Sequence, residues 1–330
     1  MRFGPVPLDR AEGGILAHSE RVADGRLRKG VVLGATQIAA LRAAGYGSVT
    51  VARLDAGDLH EDDAARTLAE ALQDGAAGIS LSRAVTGRVN LTADRPGVVC
   101  LEAGAIHAAN AVDPMITVAT VPDHHQIRAG GMMATVKIIA YGVPGDALSR
   151  AADAARGALR LAVAQYGTAS LIITDTPGGP GNKGADAVAA RVTGLGMEMA
   201  ETVICAHDTG ALARAIAAST GEIVLVLAGS ATSDPNDTAP QALREAGGEV
   251  TRFGMPVDPG NLLFFGRLGE RPVIGLPGSA RSPVLHGADW VLARLACGLA
   301  CGTDEIARMG VGGLLKEIPS RPQPRRATYR

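Results

Sequence analysis

Ile223-Val224-Leu225-Val226-Leu227-Ala228-Gly229-Ser230-Ala231-Thr232-Ser233-Asp234-Pro235-Asn236-Asp237-Thr238 is the stretch that decides the fold. Five consecutive apolar residues read as a strand buried on both faces. Small residues follow it, and Thr238 with Gln241 fits a capping box, so a helix is expected to begin there. The same order of apolar strand, small-residue loop and helix recurs upstream at Ser170–Thr174 and downstream at Pro272–Leu276. Strands of this kind alternating with helices mark a buried parallel sheet. Residues 145–305 therefore read as one three-layer α/β/α domain with a mainly parallel sheet. Within it, the alanine-rich stretch Ala147–Tyr166 has helical spacing.

Toward the N-terminus the rhythm differs, with a compositional break near Tyr141-Gly142-Val143-Pro144-Gly145. Before the break, Ser48–Arg53, Arg88–Ala93, Val98–Leu101, Ile116–Val121 and Met133–Ala140 are rich in Val, Ile or Thr and bounded by turn residues, the strand signature. Helical stretches at Thr36–Ala44 and Glu61–Leu72 are interleaved. Residues 1–144 read as a mixed α+β region. Residues 306–330, with Pro319, Pro322, Pro324 and several arginines, read as an extended arm or linker.

The whole chain narrows the function classes. It has 330 residues, 47% of them hydrophobic and 20% charged, the composition of a globular protein of about two domains. Lys and Arg total 32 against 33 Asp and Glu. Nucleic acid and anionic membrane surfaces are thus not expected as partners, since both require a basic field. No apolar run reaches the ~20 residues of a membrane span. Four cysteines and no secretory signal pattern point to reduced thiols and a cytoplasmic location.

Ligands of open parallel sheets bind beyond the carboxyl ends of the strands, and three loops are expected to meet there. The first, Thr174-Asp175-Thr176-Pro177-Gly178-Gly179-Pro180-Gly181-Asn182-Lys183-Gly184, can bring backbone N–H groups and Lys183 to an anion. It also satisfies a Gly-x-Gly-x-x-Gly spacing, but with residues between strand and turn that a dinucleotide fingerprint does not have. The second offers Gly229, Ser230, Ala231 and Thr232 for close approach of a ligand to the backbone. It places Asp237 near a helix N-terminus, with Asp234 as a possible helper. The third, Gly278-Ser279-Ala280-Arg281-Ser282-Pro283, reads as an N-cap with proline at the first helical position. Its free N–H groups and Arg281 form a candidate phosphate site. Asp258-Pro259-Gly260 through Gly266 reads as a turn followed by an apolar strand, either a hairpin or a fourth contributor to the site.

In this order the loops resemble the molybdopterin-binding domain shared by molybdopterin adenylyltransferases and molybdopterin molybdotransferases. Gly229 to Gln241 is similar to the adenylyltransferase pattern of paired glycines followed by Pro-Arg-Asp-x-Thr-Pro-Glu, in register at Gly229, Pro235, Asp237 and Pro240. Pro259-Gly260 through Gly266 resembles the Pro-Gly-Lys-Pro…Phe-Gly segment of the molybdotransferases, and Leu276-Pro277-Gly278 their Leu-Pro-Gly-Asn-Pro loop. The departures are Ser230 for the second glycine, Asn236 for the arginine, Ala239 for the threonine, Asn261 for the lysine and Ser279-Ala280 for Asn-Pro. No Thr-Gly-Asp-Glu-Leu segment is present, and the molybdotransferase C-terminal barrel has no counterpart. The N-terminal half is similar to a molybdopterin-binding subfamily, some members of which are fused to a molybdenum-cofactor nucleotidyltransferase.

The resemblance implies molybdopterin as ligand or substrate, Mg²⁺ held by Asp237 against a phosphate or adenylyl bridge, and molybdate as the metal source if insertion takes place. It further implies a molybdotransferase-like transferase or a protein presenting cofactor to a nucleotidyltransferase, and a homo-oligomer. A non-catalytic molybdopterin carrier and a nucleotide-processing hydrolase of the competence-damage type stand as alternatives. His124-His125, Cys297 with Cys301, and the acidic cluster at Asp58, Glu61, Asp62 and Asp63 read as structural features, and Lys137 as an edge lysine with a pocket role as the alternative.

Overall fold

A computed structural model describes residues 1–315. Two compact units emerge, Met1–Arg95 with Val99–Leu161, and Pro96–Val98 with the chain from Ala162 onward.

The first unit opens with an antiparallel three-stranded sheet in the order Arg2–Pro7, Ser48–Arg53, Ile15–Leu16. The helix Ala35–Ala43 closes its small core, where Ile38 and Leu41 pack with Leu8, Leu16, Leu33 and Val51. A four-stranded antiparallel sheet follows, in the order Ile116–Thr120, Met132–Ile138, Arg88–Ala93, Ile79–Leu81. Along Arg88–Ala93 the buried residues are Val89, Leu91 and Ala93, the alternation of a sheet with one covered face. The helices Glu61–Gln73 and Gly145–Ala155 share this core through residues such as Leu68, Leu72, Leu148 and Ala151.

Helix Gly145–Ala155 thus belongs to the first unit, not to the parallel-sheet domain expected from residue 145. Its buried residues Ala147, Leu148, Ala151, Ala152 and Ala155 form one helical stripe in the first core. The expected helix Ala147–Tyr166 is also cut short. Gly157 takes a left-handed φ of 66°, and Leu159–Ala162 continues as a strand.

The second unit contains β1 (Thr168–Asp175), α1 (Ala185–Thr193), β2 (Glu198–Ala206), α2 (Thr209–Ala218), β3 (Ile223–Leu227), α3 (Thr238–Glu245), β4 (Glu249–Phe253), β5 (Phe264–Leu268), β6 (Arg271–Leu276), α4 (Gly287–Ala296) and α5 (Thr303–Arg308). The six strands form one sheet in the order β2-β1-β3-β6-β5-β4. The pairs β1·β2, β1·β3 and β3·β6 are parallel, and β5 runs antiparallel to both β6 and β4. α1 and α4 cover one face, packing Val188, Val192, Val291 and Leu292 on Leu171, Ile173, Leu225 and Ile274. α2 and α3 cover the other, packing Leu212, Ile216 and Leu243 on Ile172, Val224, Val226 and Val273. This is the three-layer, mainly parallel architecture read from the sequence. β3 is buried at all five positions, because its two faces serve the two helical layers.

Candidate functional site

The chain leaves β1 toward β2 on one side and later returns to β3 on the other, so the strand order reverses between β1 and β3. That switch point opens a crevice beyond the carboxyl ends of the strands. The loops after β1, β3 and β6 lie on this rim. So does the β4–β5 connection with Pro259 and Gly260, because β5 runs antiparallel to β6 and starts where β6 ends. With ~4.8 Å between strands, the rim from β2 to β6 spans about 15 Å.

Arg281 gathers the three loops. It ends a short 3-10 turn, Gly278–Arg281, and its guanidinium donates to the Lys183 carbonyl of the β1 loop and, at 2.7 Å, to the Ala228 carbonyl at the end of β3. Burial pushes its proton affinity down and Asp175 pushes it up. Gly184, with φ +96°, lies against this arginine; a Cβ there would sit 2.7 Å from Arg281 Cα. Arg281 therefore acts first as a tie between loops, whereas the sequence reading gave it to a phosphate. The Lys183 side chain itself is exposed.

The expected helix start at Ser282-Pro283 does not form. The Ser282 N–H bonds to Ser279 O, closing the 3-10 turn, and α4 begins only at Gly287 with buried His286 as its cap. The segment between is held by Arg191 of α1, which donates to the carbonyls of Ala280, Ser282 and Val284 and pairs with the Asp289 carboxylate. Gly278 and Ser279 remain exposed on the rim, and Ala280 is buried beneath them. Pro259 and Gly260 back onto α4: the Pro259 carbonyl accepts the Gly287 N–H at 2.8 Å, and a Cβ on Gly260 would meet Gly287 N at 2.7 Å.

In the loop after β3, Asp237 is itself the cap of α3, one residue earlier than the capping box implies. Its carboxylate accepts from Thr238 N at 2.7 Å and from Ser233 N at 3.0 Å. The Ser233 N–H, the Thr238 N–H and the neighbouring His207 hold its carboxyl below the ordinary aspartate range. Asp234 accepts from Asn236 N in a tight local turn. Thr232 is buried, while Ser230 and Ala231 are exposed.

Two residues absent from the sequence-derived site complete the crevice. Gly229 N–H donates to Thr174 Oγ1 at 2.8 Å; Thr174 Oγ1 lies 2.8 Å from His207 Nδ1; His207 Nε2 lies 2.8 Å from Ser230 Oγ. Thr174 is fully buried. Among the described residues, the one acceptor its hydroxyl proton reaches is His207 Nδ1. In the tautomer in which Nδ1 accepts that proton, Nε2–H donates to Ser230 Oγ; in the other, Nε2 accepts the Ser230 hydroxyl proton. His207 follows β2, an edge strand whose side chains alternate between half-buried and exposed. The signal available in the sequence was the position of Cys205-Ala206-His207 at a strand end, hidden because β2 lacks the continuous apolar run of its neighbours.

Among the described residues no group of three His, Cys, Asp or Glu side chains is placed to hold a metal. Each Asp237 oxygen already accepts one backbone N–H. The donor set fits Mg²⁺ only where substrate phosphate completes the shell, a common arrangement for this ion. A cavity of about 410 Å³ lined by Glu249, Phe265, Arg267, Glu270, Leu295 and Cys301 lies at the opposite end of the strands from these loops.

Fold and rim together define an open α/β sheet with a ligand crevice at its switch point. Residues 170–295 match the family model described as a probable molybdopterin binding domain, and residues 5–53 match a domain of unknown function. The chain is thus similar to molybdopterin-binding proteins over the second unit. Among solved structures, a molybdopterin biosynthesis MoeA protein from Pyrococcus horikoshii aligns at 14% identity, covering 90% of this chain and 76% of that one, with a TM-score of 0.32. A second structure of the MoeA protein from the same organism aligns at 10% identity over 91% and 76%, with a TM-score of 0.26. At these scores neither alignment bears on the fold. No curated protein matches this chain.

Proposed function

We propose that the second unit binds molybdopterin at the rim of its parallel sheet and serves molybdenum-cofactor biosynthesis as a molybdotransferase-like protein. The match of residues 170–295 to the molybdopterin-binding model carries this reading. The rim supports it chemically. The exposed Ser230 hydroxyl, positioned beside His207, and the exposed backbone at Gly278 and Ser279 offer donors to a phosphate or a pterin carbonyl. Gly229 lies so close to β1 that a Cβ would sit 2.7 Å from Thr174 O, which keeps the crevice floor flat. Ala231, Thr232, Pro259 and Gly260 belong to the same proposed ligand site. Asp237, ionised at neutral pH, would hold Mg²⁺ together with the substrate phosphate, and that ion would supply charge neutralisation at a phosphoryl or adenylyl bridge. Asp234 keeps its neighbouring loop in shape. Molybdate as co-substrate, presentation of cofactor to a nucleotidyltransferase and self-association belong to the same proposal.

One observation favours a second reading. A serine hydroxyl 2.8 Å from an imidazole nitrogen is also what a nucleotide-processing hydrolase on this fold would use.

The deciding experiment loads purified protein with molybdopterin and measures the fluorescent pterin retained after oxidation, with Ser230→Ala and Arg281→Ala alongside. Retention by the wild type, reduced several-fold in Ser230→Ala, is expected. No retention by the wild type overturns the reading and leaves the hydrolase, which a panel of pyridine-nucleotide and ADP-ribose compounds would then reveal by turnover. Retention with no Mg²⁺-dependent conversion of adenylylated molybdopterin identifies a carrier.

A further inference from the structure

The first unit contains a cavity of about 300 Å³ lined by Lys29, Gly30, Glu61, Thr86, Arg88, Lys137, Ile139 and Tyr141. Four distant segments of chain converge to build it. Three of the lining side chains are cationic and one is anionic, so the local balance favours an anion.

The charges are unevenly engaged. Lys137 Nζ lies 3.7 Å from the Glu61 carboxylate and donates to the Thr86 carbonyl. Glu61 is buried, and burial raises its proton affinity against the pull of Lys137. The Arg88 guanidinium donates one bond, to Thr135 Oγ1 at 3.3 Å, and among the described residues neither Arg88 nor Lys29 has a carboxylate partner.

The floor of the cavity is a two-residue hairpin turn that places a β-branched residue where glycine or asparagine is usual. Val85 and Arg88 exchange both backbone hydrogen bonds across Thr86 and Gly87, and both central residues have left-handed φ, 50° and 69°. For a β-branched residue such as Thr86 this is a strained geometry. The surroundings enforce it. Gly87 N–H donates to the Asp62 carboxylate at 2.6 Å, Gly87 O accepts from Ile138 N at 2.8 Å, and a Cβ on Gly87 would sit 2.7 Å from Glu61 Oε2. Tyr141 closes the far wall, its hydroxyl donating to Ala17 O at 2.8 Å.

We propose that this cavity is a second ligand site, distinct from the rim of the parallel sheet, that takes the oxyanion group of a small molecule, a phosphate or a carboxylate. Arg88 and Lys29 supply the charged donors, and Lys137 supplies a third held in place by Glu61 and the Thr86 carbonyl. Arg88 presents the planar fork suited to either oxyanion. The volume fits a small metabolite.

The test is titration of the full chain with inorganic phosphate and, separately, with succinate, followed by calorimetry and by amide shifts of residues 86–88 and 137–141. Saturable binding of one of them is expected, weakening with added NaCl. Arg88→Gln and Lys29→Gln are expected to reduce it tenfold or more, and because both side chains are exposed, these variants keep the fold, whereas Lys137→Met would strand the buried Glu61. Which anion saturates at the lower concentration tells a phosphate site from a carboxylate site. Absence of saturable binding of either anion, or binding unaltered in Arg88→Gln and Lys29→Gln, overturns the proposal, the second outcome placing the anion elsewhere in the chain.

Discussion

Asp237 shows how one side chain can be committed to structure before chemistry begins. As the cap of α3 it satisfies two backbone donors, and replacing such a cap with alanine costs about 1 kcal/mol. Asp237→Ala is therefore expected to lose roughly that much stability in urea unfolding near neutral pH. The folded carboxyl titrates below its ordinary value, so its contribution is complete above the unfolded pKa and disappears as pH falls through the folded one. The difference between variant and wild type should begin to narrow at about pH 4, the ordinary aspartate value, and close only below the lowered folded one. The residue was legible as important from its place after a buried strand. Its double engagement was not, because the partner Ser233 N–H reaches it through the fold of a loop, which no spacing rule specifies.

Among the elements, legibility followed burial. β3 appears with the bounds Ile223–Leu227 read from its apolar run, since a central strand needs both faces apolar. β2 escaped notice because an edge strand needs only one. The helix start at Ser282-Pro283 failed for a different reason: Arg191, far away in sequence, captures the carbonyls of that segment before a helix can use them. The pair Arg191–Asp289 thereby joins α1, the β6 loop and α4, with both side chains about nine-tenths buried. Removing one partner of a buried ion pair strands the other charge, at a cost of about 3–5 kcal/mol. Asp289→Ala is expected to show a loss of that order in denaturant unfolding, accompanied by faster amide exchange across residues 278–286.

At the scale of the whole molecule, each unit has its own apolar cores, and the break seen at Tyr141–Gly145 in composition falls inside the first unit. Composition registers where glycine and proline gather. A unit boundary depends on which core a helix faces, and the stripe Ala147-Leu148-Ala151-Ala152-Ala155 would suit either one. The three residues Pro96–Val98 belong to the second unit, although flanked on both sides by the first. Val98 is fully buried among Ala169, Leu171 and Leu195. Val98→Ala should cost about 1–3 kcal/mol. The loss is expected in the exchange protection of β1 and β3, not in that of Glu61–Gln73, when the two are followed in one hydrogen-exchange experiment.

That short excursion also orders events on the ribosome. When Leu161 has been made, the chain of the first unit is complete, yet Val98 still lacks the strands that will cover it. Translation must proceed through β1 and α1 before this early-made valine finds shelter, so the second core draws on a segment synthesised long before its surroundings. A chain released between these two moments would leave Val98 without the residues that bury it.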